Sequence, residues 1–376
     1  MSFGIIPRLN YRFTPKDFIF SVKGLLTKNS DVEQLETIFD TDRIYFYNHA
    51  RTAMRIALTA MNLKPGAKIG IMAFNCLTVM NSVRSAGFES VFIDVTDDFQ
   101  MDLIDLQKKI DTVDALIINH MFGIPNRIIM TIREKFPNLP FIEDCAHSFM
   151  SKLGDKYTGQ YADMSVFSYG RAKFPTVGDG GFMVVNDEKY KMAVERENKL
   201  LQPKSFPEEL KNILNSIVLS ALHQPFIYKN ISLRFFKSVD DKKDLAGKYS
   251  TREGSFYKSN KSLFLAKLKE IDVLLEKQTE NGRKVKEIVP SEFKVYEEDY
   301  NYFMFPVLMN DRDRFISLCF EKGIELGKHF SKSIEWAGLF GYRQGDCPNA
   351  EKIARTIVTI PTCYSPKPVL KSLFNL

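Results

Sequence analysis

The run Ala115-Leu116-Ile117-Ile118 carries no polar side chain and stops at Asn119-His120. A strand with one wet face alternates, whereas a strand apolar at every position is buried on both faces and needs helices above and below its sheet. The sheet is therefore expected to be parallel or mixed. Neighbouring segments fit the same scheme. Ile69-Gly70-Ile71-Met72-Ala73-Phe74 and Ser90-Val91-Phe92-Ile93-Asp94-Val95 read as buried strands, with helical patterns over 78–86 and 103–110. Ile44-Tyr45-Phe46-Tyr47 reads as another strand, followed by a helix with Met54, Ala57, Leu58 and Met61 on one face.

Chemistry concentrates between residues 142 and 181. Phe141-Ile142 ends in two carboxylates, Glu143-Asp144. A β-prone run over 164–169 ends near Ser168, and Lys173 follows five residues later. Pro175 disfavours a helix around that lysine, so a loop is expected. Gly178, Gly180 and Gly181 then permit a tight turn into a strand over 182–185. An aspartate at one strand end and a lysine beyond another suit pyridoxal phosphate. Its ring nitrogen is kept protonated by a carboxylate, and its aldehyde joins a lysine amine. Asp144 and Lys173 fit these roles, and Ser168 can donate to the phosphate. Singly, an Asp or a Lys is most often a solvated surface charge; the ordered set carries the weight.

Three blocks, Ile142-Glu143-Asp144-Cys145-Ala146-His147, Ser168-Tyr169-Gly170-Arg171-Ala172-Lys173 and Gly178-Asp179-Gly180-Gly181, resemble those of the DegT/DnrJ/EryC1/StrS sugar aminotransferases. Gly170 stands where many members have histidine, and Asp179 where glutamate is usual. The resemblance runs over about residues 40–200 and 257–365. It implies an α/β protein of fold-type I among the PLP-dependent transferases. Such a protein has a large domain with a mixed, mostly parallel seven-stranded sheet and a smaller C-terminal α/β domain. It further implies a homodimer with shared active sites, and transfer of an amino group from an amino-acid donor, glutamate in most relatives, to a keto sugar on a nucleoside diphosphate.

Further residues follow from the resemblance. Ala50-Arg51-Thr52-Ala53 corresponds to the phosphate-binding turn at a helix N-terminus, with Arg51 and Thr52 as candidates. Cys76 occupies the position of an aromatic that stacks on the ring, with Phe74 two residues earlier, and the residues leave open which of them covers it. His147 takes the family's His/Gln position beside the cofactor, and His329 lies in a loop that lines the sugar-nucleotide pocket. Asp94 reads as structural and His120 as a hydrogen-bonded scaffold. The family's Asn and Arg that reach the partner subunit's phosphate are not found near Tyr257-Lys258-Ser259-Asn260. Dehydratases of this type carry histidine at the lysine position, so Lys173 argues against that reading. Retention of Asp144, Ser168 and Lys173 together argues against a cofactor-binding relative that has lost catalysis.

The expected organisation is an entry segment over 1–40, a cofactor-binding domain over 41–276 and a small domain over 277–376. The 376 residues suffice for two domains with a substantial core. An atypical apolar insertion occupies about 200–256; it reads as extra core or dimer interface in preference to a membrane-surface element. Lys and Arg exceed Asp and Glu by 52 to 46, which suits anionic substrates, and no RNA-binding signature or basic block indicates nucleic acid. The five cysteines, at 76, 145, 319, 347 and 363, lack metal-site spacing and suggest reduced thiols in a cytoplasm. No signal peptide and no run of about 18 apolar residues is seen.

Overall fold

The computed structural model describes residues 4–9, 11–27, 32–233 and 253–374. Ser30-Asp31, expected to cap a helix, and the part of the insertion over 234–252 lie outside the described residues. Two helices precede the sheet, α1 (Pro15–Leu26) and α2 (Glu33–Phe39). The sheet strands are β1 (Ile44–Tyr47), β2 (Lys68–Met72), β3 (Glu89–Ile93), β4 (Ala115–Asn119) and β5 (Phe141–Asp144). After a small hairpin of β6 (Lys152–Leu153) and β7 (Lys156–Tyr157) come β8 (Met164–Ser168) and β9 (Gly181–Val185).

The seven-stranded order is β1-β9-β8-β5-β4-β2-β3. β3, β2, β4, β5 and β8 run parallel; β9 is antiparallel to both β8 and β1, so β1 points the same way as the parallel strands. Every residue of β4 is buried, as its uninterrupted apolar sequence requires. The crossovers are α3 (Ala50–Ala60), α4 (Leu77–Ser85), α5 (Leu103–Lys109) and α6 (Ile128–Lys135). Helix α3 turns most of its residues into the core, more than the single stripe its spacing suggested. Beyond β9 come α7 (Lys191–Asn198), α8 (Phe206–Leu222), α9 (Lys258–Leu268) and α10 (Ile271–Ile288). The chain breaks at Lys269-Glu270 between α9 and α10, and α10 runs on past residue 277.

The C-terminal part pairs β10 (Phe305–Leu308) with β11 (Ile357–Ile360), antiparallel. Around them lie α11 (Arg312–Glu321), α12 (Ser333–Gly338), α13 (Pro348–Thr356) and α14 (Val369–Leu373). Asp94 joins this part to the sheet. Its carboxylate accepts the backbone N–H groups of Asn349 and Ala350 at 3.1 and 2.8 Å, at the start of α13, where free N–H groups favour an anion. The chain's beginning folds back onto the same part, with Ile6 bridging to Ile324.

Candidate active site

In an open α/β sheet, the strand order reverses at one place, and the crevice at the carboxyl ends there is where ligands sit. Here β3 lies to one side of β2 and β4 to the other. A cavity of about 230 Å³ opens at this point, lined by residues just past β2, β4, β5 and β8. Asn75 and Cys76 come from the first, His120 from the second, and Asp144, Ala146 and His147 from the third. Ser168 ends β8, and Arg171, Ala172 and Lys173 belong to the loop beyond it.

That loop is shaped by close approaches. Gly170 bridges to Gly178, and the Lys173 N–H donates to the Gly170 carbonyl at 3.1 Å. A Cβ on Gly180 would stand 1.9 Å from a Tyr169 ring carbon, and one on Gly181 2.5 Å from the Phe167 carbonyl oxygen. Only glycine lets the chain re-enter the sheet so close to Tyr169, which explains the glycine run.

Asp144 is buried, with both oxygens engaged. Asn119 donates to one at 2.6 Å and the Ala146 N–H to the other at 3.1 Å. Asn119 is itself held by Asn75, which donates to it at 2.8 Å. Burial pushes the Asp144 carboxyl above its ordinary value, against the Ala146 N–H, the Lys173 charge and the Asn119 bond. Burial lowers the Lys173 amine, opposed by Cys76 and Asp144. Both shifts have burial as their largest cause, the cost of holding a charge away from water.

The remaining wall is aromatic. The His147 imidazole stacks on Phe303 at 4.5 Å and on Phe330 at 5.8 Å between centroids. Its Nδ1 accepts the Phe122 N–H at 3.2 Å, so the ring hydrogen resides on Nε2. Burial and the neighbouring Lys173 hold its pKa well below the usual value. The Lys173 Nζ lies 5.3 Å from the Phe303 ring centre. His329 lines the cavity with its Nδ1 2.6 Å from the Thr359 hydroxyl.

Of the residues singled out in the sequence, Lys173, Asp144, His147, Ser168, Cys76 and His329 thus meet at one cavity. Phe74 does not line it; its ring is fully buried among Phe99, Phe122 and Phe330. At the N-terminus of α3 the lining residue is Ala50. Arg51 and Thr52 stand behind it, and the Thr52 hydroxyl donates to Asn48 at 2.8 Å. Sequence reasoning missed Asn75, Arg171, Phe303 and Phe330 as lining residues. The one available signal was the polar end of an apolar strand, which marks Asn75 as it marks Asn119.

Beneath the cavity, Glu143 and His120 form a scaffold. The fully buried Glu143 carboxylate accepts the N–H groups of Gly159, Tyr161 and Ala162 at 2.7–2.8 Å, and lies 2.9 Å from His120 Nε2. The Asn126 N–H donates to His120 Nδ1 at 2.9 Å, leaving Nε2 to donate to Glu143. Cys145 lies close enough to complete a metal-like trio with them, but Glu143 is already filled with donors, and burial keeps Cys145 a thiol.

A second chamber of about 270 Å³ adjoins the first and shares Leu9, Ala172, Lys173, Phe303 and Met304 with it. Its lining adds Arg8, Arg12, Lys267 and Lys277, so it is basic.

Residues 36–210 match the DegT/DnrJ/EryC1/StrS aminotransferase family. GDP-perosamine synthase of Escherichia coli O157:H7 is 31% identical over 144 residues, 38% of this chain and 40% of that protein. UDP-N-acetyl-3-dehydro-alpha-D-glucosamine 3-aminotransferase of Acidithiobacillus ferrooxidans is 30% identical over 140 residues, 36% of this chain and 38% of that one. The chain thus aligns with about two-fifths of the length of these relatives. Among solved structures, Helicobacter pylori PseC, an aminotransferase involved in pseudoaminic acid biosynthesis, superposes with a TM-score of 0.74 at 16% identity, over 99% of this chain and 97% of that one. The PLP form of Spr1654 from Streptococcus pneumoniae superposes with a TM-score of 0.76 at 15% identity, over 99% of both chains. The three sequence blocks, the sheet that carries them to one crevice and the match over residues 36–210 make this chain similar, over that span, to the DegT/DnrJ/EryC1/StrS aminotransferase family.

Proposed function

We propose that the protein is a pyridoxal-phosphate-dependent aminotransferase that moves an amino group from an amino acid, glutamate first among candidates, to a keto sugar carried on a nucleoside diphosphate. The observation that carries this reading is that Lys173 and Asp144 open onto one cavity together with Ser168 and the start of α3. The donor set suits the cofactor: a buried acid for a ring nitrogen, an amine for an aldehyde, and a hydroxyl with a helix N-terminus for a phosphate. Bound there, pyridoxal phosphate supplies an aldehyde for amine exchange and an electron sink that acidifies the adjacent C–H.

The chain's own residues do the rest. Lys173, its basicity lowered by burial, takes and returns the proton as base and then acid. Asp144, fixed by Asn119 and Ala146, holds a hydrogen at the ring nitrogen. His147, pinned by Phe122 and stacked on Phe303, sets the width of the ring slot. His329 and the basic chamber face the sugar and its phosphates. The reading includes a homodimer with shared sites, by analogy with the family, and a cytoplasmic enzyme, in keeping with five free cysteines. Among the described residues no helix is long and apolar enough to cross a membrane.

The test is the visible spectrum of the protein with added pyridoxal phosphate, for wild type and Lys173→Ala, before and after glutamate. A Lys173-dependent band that glutamate abolishes is the expected result. A band in both proteins, or none in either, overturns the assignment of Lys173. A band that no amino acid affects overturns the transaminase reading.

A further inference from the structure

A phosphate monoester brings about 1.5 to 2 negative charges at pH 7, and a site that takes it from water needs a cation as well as neutral donors. The donors at Ser168 and the start of α3 are neutral, a hydroxyl and backbone N–H groups. Among the residues lining the cavity, the side chains able to carry positive charge are His120, His147, His329, Lys173 and Arg171. The imidazoles have no charge to give. His120 accepts a backbone N–H at Nδ1, and burial holds His147 and His329 well below the ordinary value. Lys173 is committed to the aldehyde. Arg171 is left, a guanidinium charged at every working pH.

Its surroundings suit the task. Arg171 follows Gly170, whose N–H donates to the Ser168 hydroxyl at 3.3 Å. As an acceptor there, Ser168 keeps its own hydrogen for another partner. Gly181 pairs with Ser168 across the sheet, and a Cβ on it would stand 2.8 Å from the Ala50 nitrogen, so the serine and the helix start are close. The charge of Arg171 reaches the same place. Burial first, then the charges of Arg51, Arg171 and Lys204 against that of Asp179, hold His49, the residue before α3, at about 4.

Arg171 has one partner already. Its Nη2 lies 3.3 Å from Asp179 Oδ2, with the side chains 46% and 30% exposed. A pair so open to water is worth little and engages one of the guanidinium's five donors. Asp179 stands outside the cavity lining, so the pair steadies the guanidinium without putting a negative charge in the cavity wall.

We propose that Arg171 is the cation that binds the phosphate of pyridoxal phosphate, supplied by the same loop that carries Lys173. The inference rests on the cofactor reading above and adds to it the residue that balances the cofactor's charge. The aldehyde and the phosphate arm of that cofactor stand on neighbouring ring carbons. Two residues flanking Ala172 are therefore well placed to take one each.

The test uses the cofactor-free full chain, titrated by absorbance with pyridoxal phosphate and with pyridoxal, which keeps the aldehyde and lacks the phosphate. Arg171→Gln loses about thirtyfold in affinity for pyridoxal phosphate and less than about twofold for pyridoxal. Arg171→Lys, which keeps the charge without the fork, recovers most of the loss. Inorganic phosphate gives an independent reading: its inhibition constant against band formation rises about tenfold in Arg171→Gln. A variant that weakens both aldehydes alike has only disturbed the loop, and that result overturns the proposal. So does an unchanged pyridoxal phosphate affinity, which assigns the counter-charge to a residue outside this cavity. Wild type without a Lys173-dependent band overturns the cofactor reading itself, a separate failure that the first titration shows.

Discussion

Glu143→Gln gives the sharpest test of how the site is held, because it changes one atom and no volume. One Glu143 oxygen receives the Tyr161 and Ala162 N–H groups, both at 2.8 Å, and the other receives Gly159 at 2.7 Å and faces His120. A glutamine presents an NH2 group to one of these pairs whichever way its amide turns. Two charge-assisted hydrogen bonds are lost and donors face donors in a fully buried pocket, a cost of about 4 kcal/mol. For a chain of this length the unfolding entropy near the midpoint is about 0.8 kcal/mol/K, so Tm falls by about 5 °C. The pH dependence adds a second reading. Burial raises the Glu143 carboxyl, but His120 and the backbone N–H groups outweigh it, and its pKa lies below the ordinary value. A depressed carboxyl contributes stability above its unfolded pKa of about 4.3 and loses it as pH falls through the folded value. The Tm gap between the two proteins is thus full at neutral pH and narrows below about pH 4.3. Differential scanning calorimetry without added cofactor measures both. A variant within about 1 °C of wild type at pH 7 would refute the account of Glu143 as the pin of residues 159–162.

Other consequences follow from the same contacts. Asn119→Ala removes the 2.6 Å bond to Asp144 and weakens pyridoxal phosphate binding by about tenfold, read by absorbance titration. Gly180→Ala drives a Cβ into the Tyr169 ring; a loss of about 3 kcal/mol, or about 4 °C in Tm, is expected in a thermal melt. Asp94→Asn takes the charge from the start of α13 and costs about 1–2 kcal/mol, read as faster proteolysis of the C-terminal part. Because burial lowers the Lys173 amine, its neutral form persists to lower pH than that of an exposed lysine, and the acid limb of the rate at which the cofactor-free protein forms its Lys173-dependent pyridoxal phosphate band lies below about 10.4. A limb at the ordinary lysine value would contradict the burial argument.

The parts of this fold legible in the sequence are those where one physical constraint dominates. The uniform apolar run of β4 demanded burial on both faces, and Pro175 with the glycines at 178, 180 and 181 demanded a loop around Lys173. The choice between Phe74 and Cys76 was not legible, because side chains near a strand end diverge by backbone direction, and only coordinates show Cys76 toward the cavity and Phe74 in the core. Phe303 and Phe330 come from segments distant in sequence, and nothing local marks them as ring neighbours of His147. Helix α8 is a different case. Its apolar content reads as extra core or dimer interface, and within the chain its polar residues are the ones inside, matched to partners on α9 that pattern alone does not reveal.

The two chambers share a wall of Leu9, Ala172, Lys173, Phe303 and Met304, so Lys173 lines both. In the proposed reaction an acceptor would bring its carbonyl carbon to that amine, with its charged remainder beside Arg8, Arg12 and Lys277. The 230 Å³ cavity then need not hold the whole of such an acceptor. Selectivity among acceptors is then a matter of reach, the span from anionic tail to reacting carbon. On the proposed reading, a carrier one phosphate shorter would leave part of that basic lining without a counter-charge.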